Sequence, residues 1–594
     1  MNTFSFLRAA AYCALAATLT GCAGLAARPT PTVSPVPATP TSLAQAVIQS
    51  EALAAPKRPT PPTQALTQQL LYETLLAEIA LQRGDARLAT QAYLDLLART
   101  RDYRIAERAT QVALQSRLID QALTAAKRWL ELEPESVAAR QTVAAILVTQ
   151  GRLDEARPHL TKLLAAEGAN LGHGFLHLNN LLARHGNKEE VLSLVQTLAQ
   201  PYPQLPEAHF AVARAAWNAG KTELALAAIR EALRLRPDWE DAALFQAQML
   251  AARAPDKASA YFTDYLARYP RAREMRLAYA RFLVQQKQYS LARAEFQTLV
   301  KDFPDNAEVP LAVGLISLQM GELDVARQYL EQALQAGVRD RDTVYLYLGQ
   351  IAEEEKRYEE ARRWYVQVSG EQGFTARLRQ ALTLAKEGRL DEARTQLAQI
   401  QPANNQQRVQ LWQAEAQMLR EAKRDREAFE LLTRALEKLP NHPDLLYDQA
   451  MAAERLNRLD VLEASLRKLI QLKPDHAHAY NALGYTFADR GIRLEEARQL
   501  LETALKLAPD DPFILDSMGW LAYRLKDYPK SIEYLRRAAA LRPDPEIAAH
   551  LGEVLWMSGA RTEAQHVWGE ALKSHPGNDA LLEAMRRCQA MPAP

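Results

Sequence analysis

Two short motifs in this chain combine residue types that could bind phosphate or take part in acid–base chemistry. The run Gly220-Lys221-Thr222 has the residues that end a phosphate-binding loop. Ala215 stands where that loop needs its first glycine, however, and no strand pattern precedes it. The run Asp475-His476-Ala477-His478 comes at the predicted start of a helix, where we expect a capping and surface role. Neither motif predicts a reaction.

A pair of histidines has the spacing of metal ligands. His173 and His177 are four residues apart, which places two rings on one face of a helix, as in zinc sites. Gly172 and Gly174 predict that this helix is broken, and no acidic third ligand follows at helical spacing. We therefore predict a structural role for both histidines. The chain also lacks Gly-x-Ser-x-Gly and His-Glu-x-x-His, so we expect no catalysis, no metal and no cofactor.

Cys22 has the most specific chemical context of any residue here. Arg8 and the apolar run Ala9–Leu19 precede it, which is typical of a secretory signal. The ending Leu19-Thr20-Gly21-Cys22 resembles the lipobox of bacterial lipoproteins. This resemblance implies that residues 1–21 are removed and that acyl chains on Cys22 anchor the protein. Because Ala23 follows the cysteine, the resemblance also implies delivery to the outer membrane, with the protein facing the periplasm. The alternative is an ordinary signal peptide with a chance cysteine near its end.

Composition excludes several classes of function. The chain has 594 residues with 72 basic and 71 acidic side chains, so nothing global indicates nucleic-acid binding. The three cysteines are Cys13 in the signal, Cys22 and Cys588, which leaves no pair for a disulfide in the exported protein. Residues 22–63 are rich in Pro, Thr and Ala and predict an extended linker.

The rest of the chain repeats with a period of about 34 residues. A small or aliphatic residue marks each repeat, and a large apolar residue follows most of these markers four positions later. A glycine often stands five positions before the marker, and a proline often stands twelve positions after it. The marker residues are Ala89, Ala122, Ala156, Val191, Ala225, Ala258, Ala292, Ala326, Ala361, Ala393, Ala428, Leu462, Ala497, Ser531 and Ala564.

Each position in the repeat has a physical reason. Glycine allows the chain to reverse between two helices, the small residue lets them approach closely, and proline ends the second helix. This pattern resembles the tetratricopeptide repeat. The resemblance implies an all-α, right-handed superhelical solenoid of about fifteen helix-turn-helix repeats, whose concave wall is lined by the first helix of each pair.

The repeat pattern is regular at residues 64–336 and 406–591 and weaker between them. Val338, Gly373 and Asn405 stand where proline is expected in three successive repeats, and glycines occur at 337, 370 and 373. We predict a bend or hinge between residues 337 and 405, which limited proteolysis should cut first.

The three C-terminal repeats have the least generic side chains. Aromatic residues and arginine in a groove are the types that anchor protein partners. The alternative is that the tryptophans only pack against the neighbouring repeat. The residues expected on the concave wall are Asn481, Tyr485, Asp516, Trp520, Tyr523, Arg524, Glu553 and Trp556.

The same segments carry a closer resemblance. Asn481–Tyr485, Asp516–Trp520 and His550–Trp556, with Ala77–Ala80 and Ile105–Ala109, look like a group of proteobacterial tetratricopeptide lipoproteins. In that group, one member brings a periplasmic carboxyl-terminal processing protease together with cell-wall hydrolases. The resemblance implies a non-enzymatic adaptor. Two alternatives are a scaffold for an envelope polysaccharide-export or secretion complex, and a carbohydrate- or peptidoglycan-active protein with a cryptic site.

Overall fold

A computed structural model describes residues 60–183 and 185–590, and the regular structure in these residues is helical. We number its α-helices in chain order, so that odd numbers are first helices and even numbers second helices of a pair. The helices of residues 60–338 are Gln68–Gln82 (α1), Ala86–Arg99 (α2), Tyr103–Gln115 (α3), Ile119–Leu132 (α4), Val137–Thr149 (α5), Leu153–Ala166 (α6), Leu171–Leu182 (α7), Lys188–Ala199 (α8), Pro206–Asn218 (α9), Thr222–Leu235 (α10), Glu240–Arg253 (α11), Pro255–Arg268 (α12), Arg273–Gln285 (α13), Tyr289–Asp302 (α14), Glu308–Met320 (α15) and Leu323–Gln335 (α16).

The helices from residue 339 onward continue the alternation. They are Arg341–Glu354 (α17), Tyr358–Gln367 (α18), Gly373–Lys386 (α19), Leu390–Gln399 (α20), Asn405–Glu421 (α21), Asp425–Lys438 (α22), Pro443–Arg455 (α23), Leu459–Leu472 (α24), Ala477–Arg490 (α25), Leu494–Leu507 (α26), Pro512–Arg524 (α27), Tyr528–Leu541 (α28), Pro545–Met557 (α29), Arg561–Ser574 (α30) and Asp579–Ala590 (α31). Helices α1 to α30 alternate as fifteen first and fifteen second helices, and each first helix except α7 packs on the second helix that follows it. The predicted all-α tetratricopeptide fold is confirmed.

Close packing within a pair explains the small residue and the large residue four positions later. In α10, Ala225 and Ile229 are both fully buried against α9. In the pair α25–α26, a Cβ atom added to Gly484 would lie 2.7 Å from Cγ of Leu501. The first helix therefore needs a minimal side chain where the second helix brings its large one.

The turn between the helices uses the left-handed backbone region. Gly84, Gly220 and Gly559 have φ values of +78°, +73° and +93°. Where the repeat lacks glycine, a long polar residue adopts the same conformation, as Lys287 and Lys526 do with φ of +58° and +66°. The turn geometry therefore belongs to the fold, and glycine is only its least strained residue. Gly220 lies in such a turn, so its resemblance to a phosphate-binding loop has a structural origin.

Helix ends are formed as the sequence indicates. Helix α10 ends at Leu235, two residues before Pro237. His476 caps α25, because its Nδ1 accepts a hydrogen bond from the Ala479 amide at 3.1 Å, which confirms the predicted capping role. The carboxylates of Glu495 and Glu496 lie in the first turn of α26, where negative charge suits the helix dipole.

The chain divides into two compact units, each with its own core. Unit 1 ends at Val338 and contains α1–α16, and unit 2 begins at Arg339 and contains α17–α31. The boundary falls within residues 337–405, where we predicted a bend; the bend itself stays a prediction. The signal segment, Cys22 and the linker as far as residue 59 lie outside the described residues. Cys588 is a free, buried thiol in α31.

The repeats at the start of unit 2 have shortened second helices. Helices α18 and α20 have 10 residues, whereas α22 has 14. They end at Gln367 and Gln399, before buried Val368 and Ile400 rather than proline. Gly373 and Asn405, which stand in expected proline positions, each begin the next first helix. Shortening of α18 and α20 accounts for the missing prolines at positions 373 and 405.

The prediction that Gly172 and Gly174 break their helix is wrong. Helix α7 runs without interruption from Leu171 to Leu182. A Cβ atom on Gly172 would lie 2.7 Å from Cδ of Glu207 in α9, and α7 packs on α9 rather than on α8. The glycines therefore make room for neighbouring side chains inside a continuous helix.

Candidate protein-binding surface

The predicted binding residues of unit 2 lie on three consecutive first helices. Helix α25 contacts α27, and α27 contacts α29, so their side chains form one surface, which we call the C-terminal wall. This wall carries Asn481 and Tyr485 on α25, Asp516, Trp520, Tyr523 and Arg524 on α27, and Glu553 and Trp556 on α29.

His550 joins the three helices at the centre of the C-terminal wall. Its Nδ1 lies 2.9 Å from both carboxylate oxygens of Asp516, and its ring stacks on Trp520 with centroids 4.3 Å apart. The indole Nε1 of Trp520 donates a hydrogen bond to Asp489 at 3.1 Å. Trp520 and Asp516 are only 5% and 7% exposed. Both side chains therefore already have partners within the wall.

The electrostatics of His550 favour its charged form. Burial by itself lowers the pKa of the imidazole, but the carboxylate of Asp516, with Glu553 and Glu546 further away, raises it above its ordinary value. The pair is thus a charge-assisted link between α27 and α29.

Tyr485 is surrounded by negative charge. Burial raises the pKa of its phenol, and the carboxylates of Asp489, Asp516, Glu546 and Glu454 raise it further. Its hydroxyl has no hydrogen-bond partner among the described residues. Its ring remains partly exposed, so this phenol is available as a donor to a bound molecule.

Asn481 lies one helical turn before Tyr485. Its Oδ1 is buried and accepts no hydrogen bond from the described residues. A buried polar atom without a partner costs free energy, which a ligand donor would recover. This atom and the phenol are the unsatisfied polar groups of α25 on the wall.

The remaining residues of the wall differ in how far they are already engaged. Glu553 is 7% exposed and pairs with Arg587 of α31 at 2.9 Å. The ring of Tyr523 lies 5.0 Å from that of Trp520, and burial, then Glu553, raises the pKa of its phenol to about 12. The ring of Trp556 packs 5.9 Å from Trp568 of its own hairpin.

The structure therefore separates the eight predicted residues into two groups. Trp520, Asp516 and Glu553 are buried and partnered, whereas the other five keep exposed surface. Arg524 is the most open of the arginine and aromatic residues at this wall. The binding role of all eight stays a prediction.

A second aromatic and cationic surface, in unit 1, is one that our sequence analysis did not identify. Helix α9 carries Phe210, Arg214 and Trp217, and α11 carries Phe245. The guanidinium carbon of Arg214 lies 5.9 Å from the ring centroids of both phenylalanines. Arg214 directly follows the small residue Ala213, as Tyr485 follows Gly484, so register alignment is the signal that would have found it.

Two classes of site are absent from the described part of the chain. Among residues 60–183 and 185–590, no group of three or more His, Cys, Asp or Glu side chains could hold a metal ion. Within the same residues, no helix is both long and apolar enough to span a bilayer.

Comparison with known proteins identifies the repeats. Models of the tetratricopeptide repeat match residues 206–238, 249–313, 312–371, 447–512 and 517–579. The TPR repeat-containing protein PA4667 of Pseudomonas aeruginosa is 32% identical over 490 residues, which cover 82% of this chain and 83% of that protein.

Other similarities cover less or are more distant. The Type IV pilus assembly protein PilF of Pseudomonas aeruginosa is 30% identical over 153 residues, 25% of this chain and 59% of PilF. Among solved structures, the alignment with a chain of the APC/C hetero-tetramer Cut9-Hcn1 covers 82% of this chain and 97% of that chain, at 15% identity and a TM-score of 0.29.

Proposed function

Because the chain belongs to the tetratricopeptide-repeat proteins, we propose that it is a non-enzymatic, lipid-anchored adaptor of the bacterial envelope. Tetratricopeptide repeats bind protein partners, and this coarser function is common to the family. The finer proposal is that the chain brings a periplasmic carboxyl-terminal processing protease to cell-wall hydrolases.

The observation that carries a binding function is the side-chain composition of the first helices. Tyr485, Tyr523 and Trp556 present partly exposed rings on one wall, and Arg524 lies beside them. Aromatic and arginine side chains dominate the binding energy of protein interfaces. Asn481 and Tyr485 add polar groups that have no hydrogen-bond partner in the described chain.

The proposed location depends on the N-terminal segment. The signal pattern before Cys22 and its resemblance to a lipobox support export and acylation. Acyl chains on Cys22 would hold the protein at the outer membrane, and residues 22–63 would let the repeats reach into the periplasm. An adaptor held there raises the local concentration of the two proteins that it binds.

The protease partner is supported by resemblance rather than by a contact. Two of the segments that carry it, Ala77–Ala80 and Ile105–Ala109, lie on α1 and α3. The structure gives them a shared role, because Glu78 pairs with Arg108 at 3.2 Å and accepts a hydrogen bond from Tyr93. This motif therefore joins the first helices of two neighbouring repeats.

Reconstitution with purified components tests the proposal. The chain, a carboxyl-terminal processing protease and a cell-wall hydrolase from one organism are mixed, and binding and hydrolase degradation are measured. We expect the chain to bind both proteins and to accelerate degradation. Unchanged degradation together with no protease binding would reject the adaptor role.

Variants of the C-terminal wall locate the binding surface. Tyr485→Ala or Trp556→Ala should weaken partner binding by about 2 kcal/mol while the helical content is retained. Trp520→Ala is unsuited, because this ring is a buried contact between repeats. Leu541→Ala is a matched control, since this side chain is 53% exposed on second helix α28. Equal loss in the control would contradict the assignment of the wall.

A second candidate is a scaffold for an envelope polysaccharide-export or secretion complex. The similarity to PilF, whose name assigns that protein to pilus assembly, favours this alternative. This similarity covers one quarter of the present chain. Co-purification with an outer-membrane barrel or secretin, in place of a protease, would distinguish it from the first proposal.

A further inference from the structure

Arg214 is a half-buried cation of unit 1 without a compensating anion. Its guanidinium makes no ion pair and no hydrogen bond with the described residues. Burial alone lowers its pKa, and no carboxylate opposes that shift. Since removing a charge from water is costly, buried charges in proteins are normally paired.

Two buried carboxylates of the first helices, by contrast, have basic partners. Glu207, on the same helix and 7% exposed, pairs with Arg236 at 2.5 Å. Glu353 of α17, also 7% exposed, accepts hydrogen bonds from Lys386 and from the phenol of Tyr365 at 2.8 and 2.7 Å. The charge of each carboxylate is compensated by a basic side chain of the fold, whereas that of Arg214 has no partner in the described chain.

The surroundings of Arg214 are aromatic and fixed. The Phe210 and Phe245 rings meet edge to face with centroids 5.8 Å apart, and Phe210 also packs 4.9 Å from Trp239. The guanidinium lies 5.9 Å from both phenylalanine centroids. Trp217, one turn further along α9, keeps part of its ring exposed. A planar cation thus lies against apolar surface, and the described chain uses none of its hydrogen-bond donors.

We propose that Arg214, with the rings of Phe210 and Phe245, binds the side-chain carboxylate of an aspartate or glutamate in a segment of a partner protein. The inference rests on the proposed protein-binding function and adds a chemical requirement to it. A carboxylate matches the fork of guanidinium donors, and the low-dielectric surroundings strengthen the pair. The flanking rings fit apolar side chains on either side of that acid.

The site is assigned to an internal acidic residue rather than to a chain terminus. The first helices continue beyond Arg214 with the largely buried apolar residues Leu244 on α11 and Leu277 on α13. A segment that passes across these helices would place apolar residues there and its acid at Arg214.

A peptide selection on the full chain tests this assignment. Peptides of twelve random residues, displayed on phage with their C-termini fused, are selected on the wild-type protein and on Arg214→Gln. The probes for measurement are the selected peptides, synthesised with amidated C-termini. We expect the wild type to enrich peptides with Asp or Glu between apolar residues, and Arg214→Gln to lose that enrichment.

A double-mutant cycle then identifies the contact. Replacing the peptide acid by its amide should weaken binding to the wild type by roughly 10- to 100-fold, the value of one charge-assisted pair, and should leave binding to Arg214→Gln unchanged. Arg230→Gln is the matched control, because Arg230 is exposed on the second helix of the same pair. This control should behave like the wild type.

The possible failures separate the two proposals. Selected peptides that bind without coupling to Arg214, or that bind only with a free C-terminus, overturn this inference and leave the scaffold function standing. If no peptide is selected and no protein partner binds, both proposals fail. Circular dichroism and thermal melting check the fold of Arg214→Gln, which should melt no lower than the wild type because no ion pair is lost.

Discussion

Substituting Gly552 by alanine should destabilise the last helix pair, although alanine is the better helix former. An added Cβ would lie 2.1 Å from Nε1 of Trp568 and 2.3 Å from its Cε2. Trp568 is fully buried, and its indole donates to the Ala549 carbonyl at 3.4 Å. The methyl group therefore displaces a rigid ring that has no space to move into.

The magnitude follows from two opposing effects. Gly→Ala inside a helix gains about 1 kcal/mol from helix propensity. Overpacking a filled core costs about 1–3 kcal/mol, and expelling a tryptophan costs more. We expect a net loss of about 2 kcal/mol in the free energy of unfolding of the α29–α30 pair.

Gly569 supplies a control of opposite sign. It lies inside α30, next to Trp568, and a Cβ atom there would meet nothing within 4 Å. Gly569→Ala should therefore stabilise the same pair by about 1 kcal/mol.

The assay must resolve one helix pair, because repeat arrays unfold in segments. Hydrogen exchange of the α29 and α30 amides in the full chain, read by mass spectrometry, reports their local opening free energies. The reasoning would be refuted if Gly552→Ala slowed exchange, or if both alanine variants changed it in the same direction.

Three further predictions concern the turn, the histidine and the lipid anchor. Lys526→Gly should raise the free energy of unfolding by about 0.5 to 1 kcal/mol, because φ at this residue is +66°. As a control, Arg537→Gly in the middle of α28 should lower the free energy of unfolding by about 1 kcal/mol. Urea denaturation measures both changes. Asp516 raises the pKa of His550 in the folded state. The ion pair therefore stabilises the fold fully below about pH 6.5, the pKa of histidine in the unfolded chain. This stabilisation is lost as the pH rises through the pKa of His550 in the folded protein. The melting temperature of the wild type should therefore fall over that pH range, and Asp516→Asn should make the melting temperature depend less on pH. Cys22→Ser should move the protein from the membrane to the soluble fraction, as immunoblotting of cell fractions would show.

Much of the fold could be predicted because each repeat position acts over a short stretch of chain. The left-handed turn at Gly220, the close contact at Ala225 and the helix end before Pro237 each involve neighbouring residues only. The alternation of first and second helices follows from such local rules repeated along the chain. The prediction of a helix break at Gly172 failed because this glycine is required by a distant neighbour. That neighbour is Glu207, which is 35 positions away in the chain.

The wall residues could be chosen from the sequence by register, but their state could not. Trp520 and Tyr485 have the same position after the glycine of their repeats, yet Trp520 is buried between His550 and Asp489 while Tyr485 keeps an unsatisfied hydroxyl. The partners that distinguish them lie about one repeat away in the chain. Nothing in the local pattern around Trp520 shows that its ring is already used.

The sequence by itself determined the repeat, the helix pairs and the face of each first helix, because turn conformation and helix approach depend on residues close together in the chain. Only the tertiary structure decided which groups on those faces are already satisfied. Asp516 finds His550 on the next first helix, whereas Arg214 finds no anion. Pairing depends on distances between helices, and these are set by the packing of whole repeats.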